Sequence, residues 1–318
     1  MTAATSPLPA RLLAPFAAVS RPLTGLFIAM VVLAAAAVAG LFFDPRVITG
    51  APAWLKPLKF AISTGIYALS FALLLGHVRG YPRLTRAIGT LTAVTLGIEL
   101  LIINLQAARG TTSHYNLQTL FDGVLFQVMG AGILAFWICQ LIATVVLLQQ
   151  KFDDPVLAWS LRLGMALTAI GAAVAYFMVL PHPGQLEAFH GGGIVGAHTI
   201  GGADGGAGLP FTNWSRDHGD LRAAHFLGLH ALQIIPLVGW LVARFALQRA
   251  HQVRLVLTAA ASYAGLLGIL VWQALRGQSV AAPDATTKLA LAVWLAGTVA
   301  AGAASLALRA RATMAVAL

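Results

Sequence analysis

Glu99 lies inside the apolar run GIELLIINLQAARG, about ten residues, or roughly 15 Å of helix, from its polar end. A carboxylate at that depth in a membrane is costly unless it is neutral, paired or bound to a metal. That makes Glu99 the most informative single residue of the chain. Gln106 shares its helix face, whereas Asn104 falls on another and reads as an ordinary hydrogen bond between helices. The next stretch, RGTTSHYNLQTLFDG, offers His114 as a nitrogen donor. It also places Asp122 near the start of the following helix, where negative charge is favoured. Later, LRAAHFLGLHALQIIPLVGW sets Arg222, His225, His230 and Gln233 within an arc of about 140°. Imidazoles and carboxylates are the donor set of a zinc or copper ion and the general bases of hydrolysis. Glu99 and Asp122 are therefore the candidate catalytic carboxylates, and His114, His225 and His230 the candidate metal ligands. A bound metal would polarise a water and the carbonyl or phosphoryl group of a substrate.

The cations suggest what that substrate is. In WLKPLKFAISTGIYALSFAL, residues Lys56, Lys59, Ser63, Tyr67 and Ser70 share a narrow stripe. The two lysines either snorkel to the interface or face inward. Facing inward, Lys56, Lys59, Arg109 and Arg222 would hold the anionic head of a lipid-like or amphipathic substrate. The succession Ser113-His114, Asp122 and two late histidines resembles that of the alkaline ceramidase and adiponectin-receptor-like membrane hydrolases. The resemblance covers five positions. It departs from that pattern in its adjacent Ser and His and in HxxxxH where those proteins have HxxxH.

Two other readings use the same residues. Histidines near one face of a bundle are also how helices hold a non-covalent haem, with Lys and Arg on its propionates; no CxxCH attachment motif is present. Alternatively, Glu99 and His225 relay protons in a proton-coupled transporter.

These residues need elements to carry them, and the composition says which. Of 318 residues, 9% are charged and 59% hydrophobic, against roughly 25% charged in a soluble domain. The expectation is an all-α, polytopic membrane bundle forming a single membrane domain over 1–318. Eight apolar runs reach the length of about 20 residues that a bilayer demands: 22–43, 57–78, 84–108, 119–148, 156–180, 221–247, 252–275 and 287–308. A short interfacial helix is expected over 7–20. The run after Arg21 contains Ala37-Val38-Ala39, a signal-peptide-like cleavage pattern, but it is long for one and reads as a retained helix. The net charge of +10 sits between apolar runs, not in a nucleic-acid-binding block, so the partner is the bilayer. Cys139, the single cysteine, excludes an internal disulfide and reads as a small buried residue.

Compact basic loops, HVRGYPRLTR and ARFALQRAHQVR, put both termini and the segment 1–21 on the cytoplasmic side of a bacterial-type plasma membrane. The candidate residues then gather toward the outer face. So does the only long connection, 181–220, a Gly- and His-rich loop expected to be ordered by Phe189, Ile194, Val195, Leu209, Phe211 and Trp214. It would act as a lid carrying His190, His198 and Asp204.

Overall fold

The computed structural model describes residues 8–315. Residues 1–7 of the expected N-terminal segment lie outside that range. The chain runs α1 (Leu8–Val19), α2 (Arg21–Phe43), β1 (Val47–Ile48), β2 (Ala51–Pro52), α3 (Leu55–Leu75), α4 (Pro82–Arg109), α5 (Leu120–Gln149), α6 (Pro155–Ala173), α7 (Ala175–Val179), β3 (Thr199–Ile200), β4 (Gly219–Asp220), α8 (Leu221–Val242), α9 (Arg249–Leu275) and α10 (Ala285–Ala315). Eight helical spans among the described residues are long and apolar enough to cross a membrane, with α6 and α7 together forming one of them. The protein is an all-helical, multi-pass membrane protein in this sense. Large apolar side chains such as Val32, Phe42, Leu101, Leu120 and Val293 stay exposed, as a lipid-facing surface requires.

Two of the departures from the expected span boundaries have a visible cause. Helix α8 stops at Val242, short of 247, because the Gln252 amide takes the carbonyls of Val242 and Phe245 and lets the chain turn. The span expected over 156–180 breaks at Val174, whose N–H turns to the Gly171 carbonyl.

The chain divides into two compact units. The first comprises 1–146 and 184–195; the second comprises 147–183 and 196–318. The segment 181–220 is shared between them.

In the first unit, α2, α3 and α4 pack on one another, with α1 against α2 and α3. Ile102 and Ile103 of α4 meet Met129 of α5, with Phe60 and Leu125 packed against them. A hairpin sets the start of α3. Thr49 and Gly50 both take positive φ, the backbone of a tight two-residue turn between β1 and β2. Asp44 accepts from Arg46 Nε at 2.8 Å and Trp54 Nε1 at 2.8 Å, while Arg46 Nη1 reaches the Ala108 carbonyl. The Arg46 guanidinium, then the Trp54 indole, hold the Asp44 carboxyl well below the usual carboxylate range. Pro57 sits in the first turn of α3, where a missing N–H costs nothing. The hairpin thereby fixes the turn that carries Lys56.

In the second unit, α8 packs on α6 and α9, and α10 lies along α9. Val156 and Leu167 of α6, Ala231 and Ile235 of α8, and Val256 and Ala260 of α9 form its core. Helices α6 and α8 touch at Gly171 and Gly228, where any side chain would strike the opposing backbone. Small residues permit such approaches where helices associate in lipid.

Candidate functional site

Helix α4 ends on Gly110 in the left-handed conformation, with its N–H on Ala107 O and the Thr111 N–H on Gln106 O. The chain then dips back into the bundle. Ser113, Tyr115 and Asn116 are all buried. Asn116 builds this turn: its amide donates to Thr111 Oγ1 and Thr112 O, and its oxygen accepts from Gln118 N. The segment 193–195 pairs with 115–117, Leu117 N–H donating to Gly193 O and Val195 N–H to Tyr115 O. The result is His114 held inside the first unit.

There it meets two residues the sequence singled out. Lys56 Nζ lies 3.1 Å from His114 Nδ1, and Ser113 Oγ lies 3.0 Å from the same nitrogen. His114 Nε2 lies 3.5 Å from Glu99 Oε1. A lysine ammonium only donates, so beside Lys56 the Nδ1 accepts and the imidazole proton sits on Nε2, aimed at Glu99. Glu99 is 4% exposed, and its second oxygen, Oε2, has no hydrogen-bond partner. An unsatisfied polar atom in such a place costs about 1–3 kcal/mol. The rings of Phe60, Tyr115 and Phe126 surround the imidazole, with centroids 6.0, 5.8 and 6.4 Å away. Lys59, one turn beyond Lys56, is half-buried. The arrangement can pass a proton between Glu99 and His114 and can hold an anion beside a cation.

No protein-family model, curated protein or solved structure matches this chain. The site therefore rests on its own geometry.

Most of the remaining candidates have partners of their own. Asp122, in the first turn of α5, accepts from Gln106 Nε2 at 2.8 Å, Arg109 Nη1 at 2.5 Å and Thr119 Oγ1 at 2.6 Å. Its backbone N–H returns to Thr119 Oγ1, a reciprocal cap. Asp122 and Arg109 thus clasp the end of α4 to the start of α5, with Phe121 lying under the Arg109 guanidinium.

In the second unit, Arg222 grips the Asp220 carboxylate through Nε and Nη2 and reaches the Asn213 carbonyl. His225 Nδ1 lies 2.8 Å from the Gly171 carbonyl and tethers α8 to α6. His230 packs edge-on against Phe226 with centroids 4.2 Å apart. His198 and Asp204 lock the loop: the Asp204 carboxylate accepts from the backbone N–H groups of His198 and Thr199 and lies 2.7 Å from His198 Nδ1. Burial pushes the Asp204 carboxyl up, but His198 and these N–H groups outweigh it and hold it well below the usual range. His190, the third lid residue, is exposed.

His114 belongs to the first unit, and His225 and His230 to the second. Among the described residues no group of three or more His, Cys, Asp or Glu could hold a metal ion. Asn104, expected to bond a neighbouring helix, donates instead to Leu100 O of its own.

Two residues near the site escaped the sequence reading. Gln140 of α5, 1% exposed, accepts from the Tyr67 hydroxyl of α3. Thr92 of α4 is fully buried, and its hydroxyl has no partner. Thr92, Thr95, Glu99 and Gln106 fall within an arc of about 60° on α4, a signal the sequence carried.

Proposed function

We propose that this chain is a proton-coupled membrane transporter in which Glu99 is the proton carrier, His114 its exchange partner and Lys56 the fixed positive charge. The single observation that carries the reading is the buried, unpartnered Oε2 of a membrane-span glutamate whose other oxygen lies within ion-pair reach of a histidine. Ionisable groups inside membrane spans mark proton relays and substrate paths. A proton taken up by Glu99 satisfies the free oxygen; when Glu99 gives it up, the Nε2–H of His114 is the donor that holds the carboxylate. Lys56, with Lys59 a turn away, favours a small anionic or amphipathic solute as the coupled cargo. The orientation that fits the basic loops has both termini in the cytoplasm, so the Lys56–His114–Glu99 cluster opens toward the outer face.

The metal-dependent hydrolase reading would need a third ligand beside His114 and Glu99, and the haem reading an axial ligand to the iron. The test separates all three. The purified chain is placed in proteoliposomes containing a pH-sensitive dye, and a potassium diffusion potential is imposed. The expected result is proton uptake above that of empty liposomes, reduced to the empty-liposome level in Glu99→Gln and His114→Phe. Wild-type uptake equal to that of empty liposomes overturns the reading. So does stoichiometric zinc or copper that His114→Ala removes, or a Soret absorption band.

A further inference from the structure

The path by which a proton leaves Glu99 toward the other end of α4 is written in an unusual hydroxyl. Four buried Ser and Thr residues in these helices turn the hydroxyl back onto the carbonyl four residues earlier. Thr24 does so to Ser20, Thr144 to Gln140, Ser160 to Val156 and Thr168 to Gly164. Thr85 of α4 itself bonds Tyr81 in this way. Thr92 does not. It is 0% exposed, and its hydroxyl has no partner, its own i−4 carbonyl included. Glu99 Oε2, also unpartnered, lies two turns further along the same face, a rise of about 10 Å. Thr95 sits between them, its hydroxyl on the Thr92 carbonyl. On the far side of Thr92 is Gly89, whose missing side chain admits the Ser20 hydroxyl: a Cβ there would lie 2.7 Å from Ser20 Oγ. Buried hydroxyls thus step down α4 from Glu99 to the start of α2.

We propose that Thr92 is the second station of the proton path, carrying protons between Glu99 and the Ser20 end of α4 through bridging water. The proposal rests on the reading of Glu99 as a proton carrier. The step is a hop along a hydrogen-bonded chain. The Thr92 hydroxyl accepts a proton from the water on the Glu99 side and releases its own to the water on the Ser20 side, so no net charge stays on the threonine. Two unsatisfied polar groups on one buried helix face are the partners such waters need, each water making two to four hydrogen bonds.

The test uses the proteoliposome assay on the full chain. Thr92→Val removes the hydroxyl at nearly constant shape and is expected to lower proton uptake about tenfold, the rate equivalent of one lost hydrogen bond to a charged carrier at about 1.4 kcal/mol. Thr92→Ser is expected to restore uptake to within about twofold, and a solvent deuterium effect on uptake is expected in wild type and Thr92→Ser. Protection of Cys139 from a maleimide probe confirms that each variant is folded; Thr92→Ala serves in place of a misfolded valine variant. If Thr92→Val keeps full uptake while Glu99→Gln loses it, the Thr92 proposal fails and the Glu99 reading stands. If Thr92→Ser is as impaired as Thr92→Val, the residue is only packed there and the proposal also fails. If Glu99→Gln retains full uptake, the underlying reading fails.

Discussion

Removing the Asp122 carboxylate distinguishes a clasp from a catalytic base. In Asp122→Ala the Gln106 amide, fully buried, loses its acceptor. An unsatisfied buried amide costs about 1–3 kcal/mol. The Arg109 side chain is 35% exposed, so its ion pair contributes about 1 kcal/mol or less after solvent screening. The lost reciprocal cap with Thr119 adds about 1 kcal/mol. The sum is about 2–5 kcal/mol, which for a body of this size lowers the midpoint by roughly 4–20 °C. Cys139 supplies the probe: it is the chain's single cysteine, buried in α5 of the same unit. A thiol-reactive fluorophore followed during heating in detergent reads its exposure directly. Asp122→Asn, which keeps one acceptor oxygen, should fall between the two. A midpoint within about 2 °C of wild type for Asp122→Ala would refute the clasp. Unchanged melting with lost proton uptake would instead make Asp122 part of the chemistry.

Two further outcomes follow from the second unit. The Asp204 carboxyl titrates lower in the folded chain than in the unfolded one, so its contribution is complete above the unfolded value of about 3.9 and is lost only as pH falls below it. Hydrogen-exchange protection of the His198 and Thr199 amides should therefore persist from neutral pH to about pH 4 and fade in stronger acid; loss already near pH 6 would place control on the His198 ring instead. His251 is 3% exposed, and neither ring nitrogen has a partner. His251→Leu should relieve a burial cost of about 1–3 kcal/mol, and its helical circular dichroism should melt at or above the wild-type temperature; a clear fall would contradict this account of the ring.

Helix faces were legible in the sequence because 3.6-residue periodicity and burial in lipid leave few choices. Glu99 as an exceptional carboxylate and the narrow stripe that carries Lys56 follow from that alone; whether the lysine snorkels or faces inward does not, and the structure brings the two residues to opposite sides of His114. What periodicity does not encode is which neighbour a face meets. His225 and His230 share one helix, but one turns to the Gly171 carbonyl and the other to Phe226. The partners of Asp122, Gln106 and Arg109, lie across a turn whose inward path depends on Asn116, which no helical period encodes. The long loop read as one lid because no local signal marks the point, near residue 195, where its contacts change from 115–117 to Met178.

The contact between Gly171 and Gly228 fixes something beyond the closeness of α6 and α8. On α8 the residues flanking Gly228 are Leu227 and Leu229, and neither fits where backbone meets backbone. Sliding α8 along α6 by a single residue would drive a leucine into that contact and also pull the His225 ring from the Gly171 carbonyl. The pair therefore behaves like a bolt with one notch. It admits rotation or translation only by coming apart, so α6 and α8 form a single strut.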